Sequence, residues 1–212
     1  MATGTTFVID SATASDVPAA TAVLADAFAH DPVMSEFVPA GAPDRRSRLR
    51  DLFAALVHTG PLRHGSLDVA RSRETGKVLG VAAWEAPHDG PRPRWPQVVE
   101  APRFARAFGW ARLLTAARRE RELGAERPDV PHWYLGQIGV GPDARGLGVG
   151  GALLAHRLER VDARRDAAYL ESSTERNRAL YVRHGFVPGR EIRGVGAARP
   201  VAMWREPQPP AG

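Results

Sequence analysis

The sequence predicts an α/β (α+β) fold built on a mixed sheet, and two patterns carry that prediction. Residues 133–140, 148–164 and 167–173 have the character of a strand, a helix and a strand in that order, which gives a βαβ unit with a parallel pair of strands. Residues 67–73 and 77–84 alternate as two strands around a turn containing Gly76, which gives an antiparallel hairpin. A length of 212 residues with 43% hydrophobic content suffices for one sizeable core.

The first part of the chain predicts one strand and two helices ahead of the hairpin. Residues 7–10 alternate like a short strand, and Ser15 or Asp16 is placed to cap a helix that stops before Asp31 and its following proline. The apolar face of that helix carries Val17, Ala20, Val23, Leu24, Ala27 and Phe28. A second helix is expected over 44–59, ended by Gly60.

The remaining elements follow from composition and turn signals. Residues 87–96 are rich in proline and predict an extended loop, and residues 98–123 predict an arginine-rich helical stretch. Residues 178–184 predict a short helix ended by Gly185, and 186–193 with 201–204 predict an antiparallel hairpin that closes the sheet. We expect residues 1–205 to form a single domain and 206–212 to form a frayed tail.

Composition excludes several classes of protein. The longest apolar runs are far shorter than the roughly 20 residues of a membrane-spanning helix, so no membrane partner is expected. The net charge is +5, but the arginines are scattered among acids, which favours solvated helix faces over a nucleic-acid surface. The chain has no cysteine, and its histidines lack metal-ligand spacing, so no metal site is expected. A cytoplasmic location follows by default.

A glycine-rich loop between the strand ending at Val140 and the helix starting near Gly148 is the most informative motif. Glycines at a helix N-terminus let backbone N–H groups converge on an anion, where the helix dipole also favours negative charge, so a diphosphate is the expected guest. A nucleoside-triphosphate loop is excluded because Leu147 stands where that motif needs lysine. A dinucleotide fingerprint is a minor alternative, since Glu171 follows at the right distance but too few residues remain for a doubly wound sheet.

Two motifs in order resemble the GNAT superfamily of N-acetyltransferases over residues 133–186. The acyl-CoA loop of that family is matched by Arg145, Gly148 and Gly150, after a strand end matched by Val140-Gly141-Pro142. The second motif is matched by Asn177, Leu180-Tyr181 and Gly185-Phe186. Within the superfamily the sequence resembles the puromycin N-acetyltransferases, in the segments Ala14-Ser15-Asp16-Val17-Pro18, Trp133-Tyr134-Leu135 and Leu170-Glu171-Ser172 and in Trp204.

The resemblance implies a largely antiparallel central sheet, a parallel pair splayed at the cofactor site and helices on both faces. It implies an acetyl-CoA-dependent N-acetyltransferase that acetylates a primary amine of a small molecule, an antibiotic or a metabolite, by direct attack in a ternary complex. The residues that it assigns to the cofactor are Ile138, Gly139, Val140, Arg145, Gly146, Gly148, Val149, Gly150, Gly151 and Asn177.

The resemblance also assigns catalytic roles. Tyr181 matches the residue that protonates the departing thiolate, and a tyrosine suits that task because its ordinary pKa of about 10 keeps it protonated at neutral pH. An amine must lose a proton before it attacks, and Glu171 is the first candidate base, ahead of His132 and Glu85. The residues expected to shape the acceptor pocket are Phe28, Asp31, Phe37, Trp84 and Trp110.

Two non-catalytic alternatives stay open from the sequence. A CoA-binding or sensing domain would keep the glycine loop and lose the acid, whereas a basic nucleic-acid module would need clustered cations with interleaved aromatic residues. The acceptor amine, the acyl chain length and the oligomeric state, a homodimer included, are not determined by the sequence.

Overall fold

The computed structural model describes residues 6–88 and 95–209, and within them seven strands form one mixed sheet. The strand order is β1-β2-β3-β4-β5-β7-β6, and every neighbouring pair is antiparallel except β4 and β5. The strands are β1 (Phe7–Ser11), β2 (Leu67–Ser72), β3 (Val78–Glu85), β4 (Trp133–Val140), β5 (Ala168–Ser172), β6 (Val187–Glu191) and β7 (Val201–Arg205). The predicted fold class is confirmed, and a doubly wound parallel sheet is excluded.

Helices cover both faces of this sheet. The described helices are α1 (Val17–Ala27), α2 (Pro32–Phe37), α3 (Arg45–Thr59), α4 (Trp95–Val99), α5 (Ala101–Phe108), α6 (Leu113–Leu123), α7 (Val149–Ala163) and α8 (Glu175–Arg183). Buried apolar residues of α1, α2 and α3 pack with one face of the strands, and those of α7 and α8 pack with the other. We call these the α1 face and the α7 face.

Two glycines in neighbouring strands let helices approach the sheet from opposite sides. A Cβ on Gly139 of β4 would lie 2.8 Å from the Cβ of Ala27 in α1, and a Cβ on Gly80 of β3 would lie 2.7 Å from Cγ1 of Val149 in α7. Both distances are shorter than van der Waals contact, so any larger residue would push a helix off the sheet. Helix positions around β4 therefore depend on these two glycines.

The parallel pair holds together only at its start. Trp133 pairs with Ala168 and Tyr134 pairs with Tyr169, and beyond these two positions β4 and β5 separate. On its other edge β4 stays paired with β3 as far as Val140, with Gly136 as the extra residue of a bulge. The sheet thus forks between β4 and β5, as the family resemblance implied.

Several predicted boundaries differ from the structure. Helix α2 was not expected, and it forms because Asp31 accepts a hydrogen bond from the backbone N–H of Met34 at 2.9 Å while a proline occupies the first helical position. The helix predicted over 98–123 is broken at Gly109, whose φ of 77° is left-handed. The predicted proline-rich loop ends early because Pro96 lies in α4, and residues 89–94 lie outside the described part.

The elements of the second half match their predictions within a few residues. Helix α8 starts at Glu175, earlier than expected, because the Thr174 side chain caps it. Residues 206–209 of the expected tail have no regular structure, and 210–212 lie outside the described residues.

A buried ion pair joins α7 to the hairpin beneath it. Arg157 donates Nε to Oδ2 of Asp68 at 2.9 Å and Nη2 to Oδ1 at 2.6 Å, and both side chains are almost inaccessible to solvent. The same guanidinium donates to the carbonyl of Gly65 at 3.1 Å. Because each charge is paired and hydrogen-bonded, the burial is tolerated, and removal of one partner would leave an uncompensated buried charge.

Across the described helices, none is both long enough and apolar enough to cross a membrane.

Candidate active site

The free edge of β4 is the first component of the site. The Gly141 N–H donates to the Leu79 carbonyl on β3 at 2.8 Å. In an antiparallel ladder alternate residues point to the same neighbour, so the N–H groups of Val140 and Ile138 point away from β3 and into the fork. No described strand pairs with this side of 135–140. The fork thus presents unpaired backbone donors at two of the residues predicted to bind the cofactor.

The N-terminus of α7 is the second component. Gly146 and Gly148 have φ values of 82° and 78°, which residues with side chains rarely adopt. A Cβ added at either position would have no other atom within 4 Å. No side chain caps this 15-residue helix, and its first α-helical hydrogen bond runs from the Ala152 N–H to the Gly148 carbonyl. The amides of Val149, Gly150 and Gly151 therefore have no side-chain cap and no α-helical partner, which leaves them free to bind an anion.

These two components meet a third element, α8. A Cβ on Gly150 would lie 3.5 Å from Cγ2 of Val140 and 3.7 Å from Cδ2 of Leu180, so the end of β4, the first turn of α7 and α8 are in mutual contact. The loop from Arg145 to Gly148 is exposed to solvent beside them. Arg145 is consequently accessible to a charged ligand at this corner.

Asn177 and Tyr181 lie on α8. The helix is capped by Thr174, whose Oγ1 accepts from the backbone N–H of Asn177 at 3.3 Å, so Asn177 itself is not the capping residue. Its carboxamide forms no hydrogen bond with the residues that the structure describes. A half-buried amide without an internal partner one turn before Tyr181 is suited to contact a ligand.

Tyr181 is buried with its ring edge-on to Phe186, at 6.1 Å between ring centroids. Burial raises the pKa of its hydroxyl well above 10, and the negative charge of Asp31 raises it further. The hydroxyl forms no hydrogen bond within the described part of the chain. The group is a protonated donor at neutral pH, and it is close enough to the α1–α2 connection to feel the charge of Asp31.

Glu171 lies on the opposite, α1 face, two residues beyond the last position at which β5 pairs with β4. Tyr134 donates its hydroxyl to Oε2 of Glu171 at 2.8 Å, and Arg127 contacts Oε1 at 3.5 Å. Burial raises the pKa of the Glu171 carboxyl, and Arg127 and Tyr134 counteract only part of that rise. The carboxylate therefore sits at the apex of the fork with a proton affinity above that of an ordinary glutamate.

Aromatic rings surround this carboxylate. The guanidinium carbon of Arg127 lies 3.6 Å from the centroid of the Tyr134 ring, and the Tyr134 and Tyr169 rings stack at 6.2 Å. His132 packs edge-on against both Tyr169 and Trp204 at 5.6 Å. The Tyr169 hydroxyl is buried beside the Glu171 carboxylate, and burial, followed by the charge of Glu171, raises its pKa.

The residues expected to shape the acceptor pocket do not all meet. Phe28, Phe37 and Asp31 lie on the α1 face or in the connection beside it. Trp84 is fully buried on the α7 face, whereas Trp110 is 81% exposed next to α6. Glu85 ends β3 and is half-buried. Phe28, Phe37 and Asp31 therefore lie on the side of the sheet that carries Glu171, Trp84 lies on the other side, and Trp110 is too exposed to line a pocket with them.

Sequence reasoning missed Arg127, Tyr134 and Tyr169 as site residues. Tyr169 and Glu171 are two residues apart on one strand and must share a face, which was a usable signal. The contact of Tyr134 with Glu171 depends on the register between β4 and β5, and the approach of Arg127 depends on the path of the chain after α6. Neither can be derived from local pattern.

Two further features, a surface hollow and the grouping of potential metal ligands, bear on where the site lies. A hollow of about 340 Å³ lies between α1, α3 and α5 and is lined in part by Arg50, His58 and Arg103. None of its lining residues belongs to β4 or β5. Among the described residues, no three histidine or carboxylate side chains are grouped so that they could hold a metal ion.

The model of the acetyltransferase (GNAT) family matches residues 69–186, which is more than half of the chain. The chain belongs to the GNAT family of acetyltransferases. The matched region includes β4, the loop before α7 and the whole of α8. Tyr181 and both strands of the fork therefore lie within the matched region.

Solved structures agree with this membership. The chain is similar to the histone acetyltransferase HPA2 and related acetyltransferase from Corynebacterium glutamicum, with 36% identity, coverage of 98% of both chains and a TM-score of 0.73. It shares its fold with the putative arylalkylamine N-acetyltransferase 7 of Aedes aegypti, with 12% identity, coverage of 94% of this chain and 87% of that one and a TM-score of 0.64. It also shares it with the Drosophila melanogaster polyamine N-acetyltransferase, with 16% identity, coverage of 93% and 98% and a TM-score of 0.60.

Proposed function

We propose that this GNAT acetyltransferase transfers an acetyl group from acetyl-CoA to a primary amine of a small molecule, by direct attack of the amine in a ternary complex. The observation that carries the proposal is the fork. Its unpaired N–H groups at Ile138 and Val140 adjoin both the open N-terminus of α7 and the helix that carries Tyr181. Acetyl-CoA carries both a thioester and a diphosphate, and these are the acceptors that the strand N–H groups and the N-terminus of α7 would bind.

The residues present fit acetyl-CoA. An extended pantetheine arm needs an unpaired strand edge, which Ile138, Gly139 and Val140 provide. A diphosphate needs converging amides and positive charge, and the left-handed glycines 146 and 148 leave open space at the N-terminus of α7. Arg145 is exposed on the same loop. When bound, acetyl-CoA supplies an acetyl group activated as a thioester.

The backbone of β4 has an electrostatic role in this proposal. The Val140 N–H points into the fork and donates to the acetyl oxygen, where negative charge develops as the amine attacks. A donor fixed in a strand needs no reorganisation at the moment of reaction. The amide of Asn177, which has no internal partner, is placed to hold the pantetheine arm.

Two side chains handle the protons. Tyr181 holds a proton at its buried hydroxyl and gives it to the departing sulfur, and Glu171 takes a proton from the incoming amine. The raised pKa of the Glu171 carboxyl improves its match to an ammonium donor near neutral pH. Tyr181 extends from α8 and Glu171 from β5, so the acid and the base belong to different elements.

A panel of primary amines with acetyl-CoA tests the proposal. Free-thiol release and mass spectrometry of the products would be followed together, and puromycin belongs in the panel because the sequence resembles puromycin N-acetyltransferases. Thiol release coupled to one acetylated amine is expected. Tight binding of acetyl-CoA without acetylation of any amine would instead indicate a non-catalytic CoA-binding protein.

A further inference from the structure

The contact between Arg127 and Glu171 is longer than the contacts in two buried ion pairs, Arg157 with Asp68 and Arg205 with Asp162. Arg157 and Arg205 each hold a carboxylate with two short bonds, of 2.6 and 2.9 Å in the first pair and 2.5 and 2.9 Å in the second. Arg127 makes one contact of 3.5 Å with Glu171, and 30% of its side chain is exposed, against 3% for Arg157. Charge-assisted bonds are normally 2.7–2.9 Å long, so this contact is loose.

The surroundings of the contact are those of a cation site that is only partly satisfied. The guanidinium carbon lies over the Tyr134 ring, 3.6 Å from its centroid, which is the position of a bound cation on an aromatic face. Nε of Arg127 is buried without a hydrogen-bond partner among the described residues, and the Tyr169 hydroxyl is buried beside the Glu171 carboxylate with a geometry poorer than that of an ordinary hydrogen bond. Buried polar groups are normally well paired, so the Arg127 guanidinium is held less firmly here than a buried arginine usually is.

Arg127 can also leave without disrupting an element. It follows the short 3₁₀ turn Gly124–Glu126 and precedes Pro128 in the connection to β4, so no helix or strand includes it. Glu171 and Tyr134, in contrast, are fixed in neighbouring strands. The Glu171 carboxylate and the Tyr134 ring are therefore fixed by the sheet, whereas the Arg127 guanidinium can be displaced from them.

We propose that Glu171, Tyr134 and Tyr169 form the subsite that receives the acceptor as its ammonium cation, and that Arg127 occupies this subsite until the acceptor displaces it. The proposal rests on the acetyltransferase function proposed above and adds how the acceptor is recognised and what competes with it. The bound ammonium contacts the Glu171 carboxylate, the face of the Tyr134 ring and the Tyr169 hydroxyl. Arg127 is thus a specificity-determining residue and a built-in competitor.

Binding of a small cation tests the subsite without any catalytic turnover. The probes are the methylguanidinium ion and methylurea, which has the same shape and no charge, measured by calorimetry. Arg127→Ala should bind methylguanidinium at least about tenfold more tightly than the parent, with no such gain for methylurea. Adding Glu171→Gln should abolish the gain. Equal affinity of the parent and Arg127→Ala, or a gain that survives Glu171→Gln, would overturn the subsite.

Kinetics then separate a competitor from a merely structural arginine. With an accepted amine, Arg127→Ala should lower the KM for that amine about threefold or more, and methylguanidinium should inhibit competitively against the amine. A structural arginine would give a higher KM and rescue by methylguanidinium, which would overturn the proposal. Arg118→Ala, at an exposed position of α6, is the matched control. If Arg127→Ala does not fold, Arg127→Gln removes the charge at similar length.

The two proposals fail in different ways. Absence of acetylation with every amine would remove the acetyltransferase function, while the calorimetric comparison of methylguanidinium and methylurea would still decide the subsite. Acetylation with a KM that rises in Arg127→Ala would preserve the function and refute the competitor role.

Discussion

At the scale of single residues, burial sets the protonation states that the proposed chemistry needs. The Tyr181 hydroxyl is buried near Asp31, so its pKa is raised and its proton is retained at neutral pH. The Glu171 carboxyl is buried as well, and its pKa is raised in spite of Arg127 and Tyr134. Desolvation disfavours the charged form in both cases, which keeps the Tyr181 hydroxyl protonated and makes the Glu171 carboxylate a stronger base.

Tyr181→Phe separates an acetyltransferase from a CoA binder. The ring should keep its contact with Phe186, so folding and acetyl-CoA affinity should survive, while the proton donor is lost. General acid catalysis contributes about 10²–10⁴-fold, so kcat should fall by that range with little change in the KM for acetyl-CoA. Steady-state kinetics check this, with calorimetry of acetyl-CoA as the control. A kcat within about twofold of the parent would exclude Tyr181 as the donor.

Glu171→Gln should change the shape of the pH–rate profile. The base works only when deprotonated, and its pKa is raised, so activity of the parent should decline on acidification at a higher pH than an ordinary carboxyl would give. The variant should have lower kcat/KM on the neutral plateau and should lose that acidic limb. Profiles of kcat/KM for the two proteins decide the matter. Superimposable profiles would assign proton removal to water or to another residue.

At the scale of elements, the open N-terminus of α7 is the feature that makes the glycine loop functional. Position 148 requires glycine because its backbone is left-handed, whereas Gly150 lies in the first helical turn with an ordinary φ. A Cβ at Gly150 would meet Val140 and Leu180 at ordinary van der Waals distances. Position 150 can therefore be substituted without strain, and position 148 cannot.

Gly150→Asp and Gly150→Ala form a matched pair that tests the anion site. Aspartate in a first turn favours the helix itself, so Gly150→Asp should fold, but its charge repels a diphosphate. Acetyl-CoA affinity should fall by more than about tenfold, or 1.4 kcal/mol, in Gly150→Asp and change by less than about threefold in Gly150→Ala. Calorimetry with acetyl-CoA measures both. Equal affinities would place the diphosphate away from α7.

At the scale of the whole molecule, the buried pair of Arg157 and Asp68 ties α7 to the sheet. Asp68→Asn should lower the free energy of unfolding by about 3–5 kcal/mol, because it leaves the Arg157 guanidinium buried without its countercharge. The double change Asp68→Leu with Arg157→Met should recover much of that loss, since no charge then remains buried. Urea denaturation of the parent, Asp68→Leu, Arg157→Met and the double variant completes the cycle, with Asp68→Asn measured alongside.

A surface pair provides the control for that cycle. Lys77 and Asp143 are 2.8 Å apart but largely exposed, so Lys77→Ala should leave the free energy of unfolding unchanged within the error of the measurement. A loss in Lys77→Ala as large as that in Asp68→Asn would show that burial is not what distinguishes the two pairs.

The sequence by itself determined the features that depend on neighbours along the chain. The period of the strands, the caps and the glycines at left-handed positions predicted the βαβ unit, the hairpins and the loop before α7, because backbone conformation is set locally. The order of the two motifs around Arg145 and Tyr181 indicated the family. Element boundaries were less secure, since a cap such as Thr174 competes with other polar residues nearby.

Only the tertiary structure decided which distant residues meet. The fork follows from two paired positions between β4 and β5, and the cation subsite brings Arg127 together with Tyr134 and Glu171 across 7 and 44 positions of sequence. The break at Gly109 and the clamp between Asp68 and Arg157 are likewise invisible to periodicity. Register, crossing of helices and burial of charge depend on packing of the whole core, which no local pattern encodes.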